Sequence, residues 1–204
     1  MLKIGVLVSG GGSNLQSIID QVHGKTGEIA LVLSNKADAF GLERAKKSGI
    51  PTAVVEESQC DGVEDFNQKM IEALKEKGVE LVVLAGFMRI ITKNFVETYP
   101  NKIINIHPAL IPSFCGEGYF GMHVHRGVYN YGVKVTGATV HFVNEEADAG
   151  PIIAQRVVDI ENQDTPEIIQ QKVLKIEHEL LPSVVEAFCR GKIHVDGRRV
   201  VVEN

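Results

Sequence analysis

The chain has 204 residues, of which 44% are hydrophobic and 23% are charged, a composition typical of a globular protein with a full core. The net charge of −5 argues against a nucleic-acid partner, and no apolar run approaches the ~20 residues needed to span a membrane. Met1 leads directly into a strand without a charged leader, so we expect a cytoplasmic protein. Three cysteines without a C-x-x-C pair argue against a disulfide framework and a cysteine-based zinc site.

Strand-like apolar runs alternate with helix-period segments in the first half of the chain. We expect strands at residues 3–8, 28–33, 51–55 and 81–85, and helices at residues 14–22, 39–48 and 61–77. The run at 81–85 is apolar throughout, which is typical of a central strand covered on both faces. The alternation predicts right-handed βαβ units, hence an α/β fold with a mostly parallel central sheet and a Rossmann-like N-terminal half.

Beyond residue 100 the pattern changes. We expect strands at 103–107, 135–143 and 152–159, a loop from 108 to about 122, and a helix at 123–131. A long helix is capped by Thr165, has Pro166 at its first position, bends near Pro182 and stops at Gly191. A terminal hairpin follows, with strands at 193–195 and 198–202. No repeat or linker divides the chain, so we expect one domain over residues 1–204.

A glycine-rich segment, Ser9-Gly10-Gly11-Gly12-Ser13-Asn14, joins the first strand to the first helix. Glycines allow a ligand to approach the backbone closely, and the N-terminus of a helix offers free N–H groups and a positive dipole end. The segment therefore suits a phosphate, with a plain strand-to-helix turn as the alternative. A dinucleotide is less suitable, because Leu15 stands at the third glycine position of that fingerprint and no acid follows Leu33. The Gly-Lys-Ser/Thr of a P-loop is also missing.

Asn105 and His107 lie two apart at the end of a predicted strand, so both should face the same side. In an open parallel sheet, the ligand crevice lies at the carboxyl ends of the strands. An amide donor that stabilises an oxyanion, beside an imidazole that moves a proton, is what acyl transfer requires. The alternative is an ordinary strand terminus.

An acidic loop follows the strand at 135–143 and contains Glu145, Glu146 and Asp148. Such a loop is often only a solvated turn. An aspartate that reaches His107 would orient the imidazole and raise its pKa by favouring the imidazolium.

Four histidines, His107, His123, His125 and His141, raise the alternative of a zinc site. They lack the fixed spacing on one element and the completing ligand typical of zinc, so we expect no metal. His125 is interpreted as a hydrogen-bonding residue of the surface or a loop.

Several motifs together resemble phosphoribosylglycinamide formyltransferase, a folate-dependent family of purine synthesis. The resemblance covers nearly the whole chain, in order and at matching spacing. It rests on the segments at residues 9–14, 34–44, 84–89, 104–108, 141–143 and 148–151.

The resemblance implies a formyltransferase fold, with a phosphate-binding half at about residues 1–100 and a catalytic and folate half at about 101–204. It implies transfer of a formyl group from 10-formyltetrahydrofolate, the co-substrate, to the amine of N1-(5-phospho-D-ribosyl)glycinamide, without a metal. The implied catalytic trio is Asn105, His107 and Asp148. The implied ribonucleotide-binding residues are Gly12, Ser13, Asn14, Leu174, Lys175, Ile176 and Glu177. The implied folate-binding residues are Met88, Arg89, Ile90, Ile91, Asn105, Asn144, Glu145, Glu146, Ala147 and Asp148.

The chain departs from the family pattern in three places. The loop at 113–123, which contains Cys115, is longer than usual; Val63 stands where an arginine often contacts the folate tail; and Leu174 replaces a polar residue near the ribose. These departures could change the affinity for the folate tail and the geometry of the loop, but they leave the chemistry unchanged.

Three alternative functions share these features. A formyltetrahydrofolate deformylase would use water as the acceptor but typically carries an added N-terminal regulatory domain. A methionyl-tRNA formyltransferase would carry an added C-terminal RNA-binding domain and a basic surface. A nucleotide-binding regulatory module would not catalyse a reaction. We expect none of these three but the formyltransferase, an enzyme of small-molecule substrates that is a monomer or a weak homodimer.

Overall fold

The computed structural model describes residues 1–203. Its strands are β1 (Leu2–Val8), β2 (Gly27–Ser34), β3 (Thr52–Val54), β4 (Leu81–Leu84), β5 (Ile103–His107), β6 (Val135–Phe142), β7 (Ile152–Asp159), β8 (Ile193–Asp196) and β9 (Arg199–Val202). Its α-helices are α1 (Ser13–Gln21), α2 (Phe40–Lys47), α3 (Val63–Glu76), α4 (Lys93–Thr98), α5 (Met122–Tyr131) and α6 (Pro166–Cys189).

The main sheet has seven strands in the order β3-β2-β1-β4-β5-β6-β7. The first five strands of this order, from β3 through β2, β1 and β4 to β5, are parallel. Strand β6 is antiparallel to β5, and β7 is antiparallel to β6. The chain moves outward from β1 to β3 and then returns to β4 on the other side of β1, which creates a crevice at the carboxyl ends of β1 and β4. The predicted α/β fold with a mostly parallel sheet is confirmed, and β8 and β9 form the predicted hairpin.

The core consists of two apolar layers, one on each face of the sheet. Because successive side chains of a strand point to opposite faces, Val6 of β1 enters one layer and Leu7 enters the other. The same alternation divides β4, whose Val83 and Leu84 pack on opposite sides. The continuous apolar run of β4 is therefore buried on both faces, as its sequence predicts.

The sequence analysis did not predict two short elements of the structure. Helix α4 has six residues and buries Phe95 alone, which is too short to display a helical period. A single 3-10 turn lies at Glu57–Gln59. The long helix begins as predicted, since the Thr165 side chain accepts a hydrogen bond from the Ile168 N–H at 3.4 Å. It continues across Pro182 and ends at Cys189, so the bend at Pro182 stays a prediction.

Candidate active site

A cleft of about 670 Å³ opens where the carboxyl ends of β4 and β5 meet the start of α1 and the middle of α6. The predicted site residues that line it are Asn14, Met88, Arg89, Ile90, Asn105, His107, Asp148, Leu174 and Glu177. The structure therefore brings together members of all three predicted groups, catalytic, ribonucleotide-binding and folate-binding.

The three predicted catalytic side chains meet in this cleft. His107 Nδ1 lies 3.4 Å from Asp148 Oδ2, and the Asn105 amide nitrogen donates a hydrogen bond to Asp148 Oδ1 at 3.4 Å. His107 is only 4% exposed, and the Asp148 side chain is 16% exposed. A carboxylate thus bridges an imidazole and an amide at the end of β5, as the two-residue spacing of Asn105 and His107 requires.

His141 is a fourth member of this cluster that the sequence analysis did not assign. It is the direct cross-strand neighbour of Asn105 in the antiparallel pair β5–β6. Its Nδ1 lies 2.8 Å from the Phe142 carbonyl oxygen, and its Nε2 lies 3.2 Å from the Asn105 amide nitrogen and 3.6 Å from Asp148 Oδ1. The Asn105 amide nitrogen therefore lies close to both His141 and Asp148.

The loop after β5 also contacts the catalytic side chains, through its backbone. His107 Nε2 lies 2.8 Å from the Phe114 carbonyl oxygen, and the Gly116 N–H donates to Asp148 Oδ2 at 3.0 Å. His107 therefore has an acceptor at each ring nitrogen, an environment that the doubly protonated imidazolium alone can satisfy with two donated hydrogen bonds.

The pKa of His107 nevertheless lies below its ordinary value of 6.5. Burial lowers it, while the charge of Asp148 and the Phe114 carbonyl oppose that effect. Asp148 does act to raise the pKa of His107, as expected. The expectation of a raised pKa is nevertheless wrong, because desolvation of the imidazolium lowers the pKa by more than Asp148 raises it. For Asp148, burial raises the pKa, but His141, His107 and the Gly116 N–H together bring it below the ordinary value.

Asp148 occupies a backbone conformation that few side chains adopt. Its φ of +52° lies in the left-handed region, where aspartate is tolerated better than most residues but still strained. Two residues later, a Cβ at Gly150 would lie 1.7 Å from the Phe142 carbonyl oxygen, so this position admits only glycine. The loop can therefore press against the end of β6 and present Asp148 to His107 and His141.

At the other side of the cleft, the glycine segment follows β1. Gly12 has a φ of +68° and caps α1, and a Cβ there would lie 2.6 Å from the Gly41 Cα. Glycine is thus required by the backbone and by α2 rather than by a ligand at that atom. Ser9 ties the segment to its neighbours, since its hydroxyl donates to Asn35 Oδ1 at 2.6 Å and accepts from the Met88 N–H at 2.8 Å. Ser13 begins α1, and neither Gly12 nor Ser13 lines the cleft.

Asn14 and Glu177 connect the first helix to the last. The Asn14 amide nitrogen donates to Glu177 Oε2 at 2.7 Å, and both side chains line the cleft. Burial raises the pKa of Glu177 to about 7, although the bond from Asn14 opposes the shift. Leu174 lies one turn earlier on the same face of α6. Lys175 and Ile176 point elsewhere: Lys175 is exposed, and Ile176 packs on the core, so neither lines the cleft.

The predicted folate segments divide in a similar way. Met88, Arg89 and Ile90 line the cleft, whereas Ile91 packs against the apolar layer around Phe66. The N–H of Met88 is already bonded to Ser9, and Arg89 Nε lies 2.9 Å from Glu57 Oε2. The structure thus presents this segment to the cleft but shows a protein partner for one of its backbone donors.

The acidic loop contributes Asp148 alone to the lining of the cleft. The cleft is not lined by its other predicted members, Asn144, Glu145, Glu146 and Ala147. The Glu146 N–H donates to Asn144 Oδ1 at 3.3 Å, and Glu145 lies 3.4 Å from Lys93 Nζ. The strained turn at Asp148 directs that one carboxylate inward while its neighbours face solvent.

His125 corrects a prediction. The sequence analysis placed it at the surface, but it is 3% exposed on α5 and lines the cleft. Within residues 1–203 its Nδ1 has no hydrogen-bond partner, and burial together with nearby His107 lowers its pKa to about 4. The predicted helix at 123–131 held the signal, because His125 lies three residues before the buried Val128 and next to the buried Val124, on one face of α5. In the part of the chain that the structure describes, no three His, Cys, Asp or Glu residues are grouped so as to hold a metal ion.

Comparisons with known proteins agree with this architecture. The profile of the formyl transferase family matches residues 2–185. Phosphoribosylglycinamide formyltransferase of Haemophilus influenzae is 39% identical over 197 residues, which are 96% of this chain and 91% of that protein. The trifunctional purine biosynthetic protein adenosine-3 of Gallus gallus is 46% identical over 166 residues, which are 80% of this chain but only 16% of that longer protein.

A solved structure gives the same result in three dimensions. The crystal structure of glycinamide ribonucleotide transformylase 1 from Symbiobacterium toebii superimposes with a TM-score of 0.94 at 39% identity, and the match covers 100% of this chain and 95% of that one. The chain belongs to the formyl transferase family and, within it, to the phosphoribosylglycinamide formyltransferases.

Proposed function

We propose that this chain transfers the formyl group of 10-formyltetrahydrofolate to the amine of N1-(5-phospho-D-ribosyl)glycinamide. The observation that carries the proposal is the convergence of Asn105, His107 and Asp148 in the cleft that Asn14 and Glu177 also line. A carboxylate–imidazole–amide cluster is suited to acyl transfer. The names of the relatives supply the ribonucleotide acceptor and the formyl group, and the folate donor is what the family resemblance implies.

In this proposal the ribonucleotide lies along the α1 side of the cleft. The proposal assigns its phosphate to Gly12, Ser13 and Asn14 at the N-terminus of α1, where free N–H groups and the helix dipole favour an anion. Of these three residues, Asn14 alone lines the cleft, so the other two would act through their backbone. Glu177 accepts the ribose hydroxyls with the carboxyl oxygen that Asn14 does not occupy. The folate lies against Met88, Arg89 and Ile90, with the Asp148 loop beside it.

The reaction begins when the neutral amine attacks the formyl carbon and the carbonyl oxygen becomes an oxyanion. Asn105 and His107 are the donors to that oxygen, and each must exchange a bond to the protein for one to the intermediate. The oxyanion favours the imidazolium and so opposes the burial that lowers the pKa of His107 in the free enzyme. The amine proton passes by way of His107 and Asp148 to N10, and the C–N10 bond breaks to release tetrahydrofolate.

The proposal includes one domain over residues 1–204, small-molecule substrates as partners, no nucleic acid, and a monomer or weak homodimer. It also includes a cytoplasmic location, supported by three free thiols at Cys60, Cys115 and Cys189. Over residues 1–203 the structure contains no helix long and apolar enough to cross a membrane.

The test is to incubate the protein with both substrates and follow the release of tetrahydrofolate. We expect release that depends on the ribonucleotide. Formate production at a comparable rate without the ribonucleotide would instead identify a deformylase. Binding of the ribonucleotide without any turnover would identify a regulatory module.

A further inference from the structure

The loop that covers the catalytic side chains carries aromatic residues into the cleft. We call residues 114–121 the aromatic loop; it contains Phe114, Tyr119 and Phe120. Tyr119 and Phe120 both line the cleft, and Phe120 is 55% exposed there. A phenyl group that stays more than half exposed leaves much of its apolar surface in water, so its position in a cleft is a reason to seek a ligand that covers it.

We propose that Phe120 is a folate-binding residue, which packs together with Met88 on the planar aromatic part of the co-substrate. The inference rests on the proposed function, because it takes 10-formyltetrahydrofolate as the ligand. It extends the folate site to the long loop, in which the sequence analysis assigned no folate contact.

The position of the loop supports this assignment. A Cβ built on Gly121, the neighbour of Phe120, would lie 3.8 Å from Met88 Cε, so the end of the loop adjoins the predicted folate segment where both line the cleft. Met88 and Ile90 are themselves 55% and 74% exposed and line the same cleft. Adjoining exposed apolar groups in a cleft form a surface on which a flat apolar group can pack.

The loop is anchored at two points, which limits the entropy that Phe120 loses on binding. The Tyr119 ring lies edge-on to Phe114 with centroids 6.1 Å apart, and a Cβ on Gly127 of α5 would lie 2.9 Å from its Cε1, so the ring is seated on that glycine. The Phe120 ring is tilted against His123 at a centroid distance of 5.0 Å. Pre-positioned aromatic groups bind with a smaller ordering cost than free ones.

The chemistry of the two substrates decides which of them Phe120 contacts. The ribonucleotide consists of a phosphate, a sugar and a glycinamide, and it has no aromatic ring. The folate has a pterin and an aminobenzoyl ring, which can pack on a phenyl ring and on a thioether. Phe120 of the aromatic loop should therefore lower the KM for folate and leave the KM for the ribonucleotide unchanged.

The experiment compares Phe120→Ala with Tyr129→Ala, a matched control whose side chain is 51% exposed on α5 and does not line the cleft. Both KM values are measured, together with the Kd of tetrahydrofolate by equilibrium dialysis, which needs no turnover. For Phe120→Ala we expect the folate KM and the tetrahydrofolate Kd to rise about threefold to tenfold, as loss of an aromatic packing contact predicts. The ribonucleotide KM and the thermal midpoint should match those of Tyr129→Ala.

The outcomes separate the inference from the proposed function. If the unmodified protein transfers formyl groups but Phe120→Ala leaves the folate KM and tetrahydrofolate Kd unchanged, Phe120 is not a folate contact. A rise confined to the ribonucleotide KM, or a fall in kcat alone, also overturns the inference. If the unmodified protein transfers no formyl group, the proposed function fails, whatever Phe120 does.

Discussion

The two sides of the cleft are built in different ways. On the α1 side, the glycine segment is fixed by backbone conformation and by hydrogen bonds from Ser9 to two neighbouring loops. On the β5 side, His107 and Asp148 have their polar atoms paired with the backbone of Phe114 and Gly116. In the proposed function, the first side offers the backbone N–H groups at the start of α1 to a ligand, whereas the second must exchange bonds before it can stabilise an intermediate. Binding and chemistry would then depend on different kinds of contact.

The largest effect should come from the β5 side. His107→Ala and Asp148→Asn should each reduce kcat by about 10²–10⁴-fold, the usual contribution of general acid–base groups. Because the two side chains act as a unit, the double variant should be scarcely slower than the slower single variant. Steady-state kinetics at saturating substrates measures this, and fully multiplicative losses would show that Asp148 acts independently of His107.

The same pair can be examined without turnover. The charge of Asp148 raises the pKa of His107 against burial, so Asp148→Asn should lower that pKa further. NMR titration of the His107 ring in both proteins gives the two values. An unchanged or higher pKa in the variant would contradict the coupling.

On the α1 side, two adjacent glycines should respond differently. Gly12→Ala forces a side chain into a left-handed conformation against Gly41 and should lower the free energy of unfolding by about 1–3 kcal/mol. A Cβ on Gly11 meets nothing within 4 Å, so Gly11→Ala should change that free energy by less than about 0.5 kcal/mol.

The Gly11 variant therefore tests ligand approach without a folding defect. If the phosphate lies against this backbone, Gly11→Ala should raise the KM for the ribonucleotide by about tenfold to a hundredfold, the range for weakened bonds to a charged group. Urea denaturation and substrate titration supply the two measurements. A normal KM in Gly11→Ala would mean that the phosphate binds elsewhere.

Glu177 should make stability depend on pH. Its folded pKa of about 7 lies above the ordinary 4.5, so its stabilising contribution is complete below pH 4.5 and is lost as the pH rises through 7. At pH 8.5 the cost of ionising the buried carboxyl should be roughly 3 kcal/mol or less relative to pH 4.5. Glu177→Gln has no such group, so it should lose less free energy of unfolding over that interval. If both proteins lost the same free energy of unfolding, a group other than Glu177 would be responsible for the pH dependence.

The smallest effect concerns the side chain of Cys115. The aromatic loop contacts His107 and Asp148 through the backbone atoms of its neighbours, and the thiol itself bonds only to the Pro112 carbonyl at 3.4 Å. Cys115→Ala should therefore change kcat/KM by less than about 2.5-fold, the scale of an ordinary surface substitution. A loss above tenfold would show that the thiol, rather than the loop backbone, matters to the chemistry.

Much of this arrangement follows from sequence periodicity and from the family resemblance. The two-residue spacing of Asn105 and His107 predicts their shared face, and the alternation of elements predicts the parallel sheet. The partnership of Asn105 with His141 depends on the register of β5 and β6, which a single sequence does not specify. Helical geometry, in contrast, could have separated Leu174 and Glu177 from Lys175 and Ile176, because residues three apart share a face and their intervening neighbours do not.

The hydrogen bond between Asn14 and Glu177 joins residues 163 positions apart in the chain. During synthesis at ~5–20 residues per second, Asn14 leaves the ribosome at least several seconds before Glu177 is made. The site between Asn14 and Glu177 is therefore complete only once α6 has been made and has docked against α1. In the proposed function, a ribonucleotide that binds there favours chains in which α6 has docked, so by mass action it stabilises the folded protein.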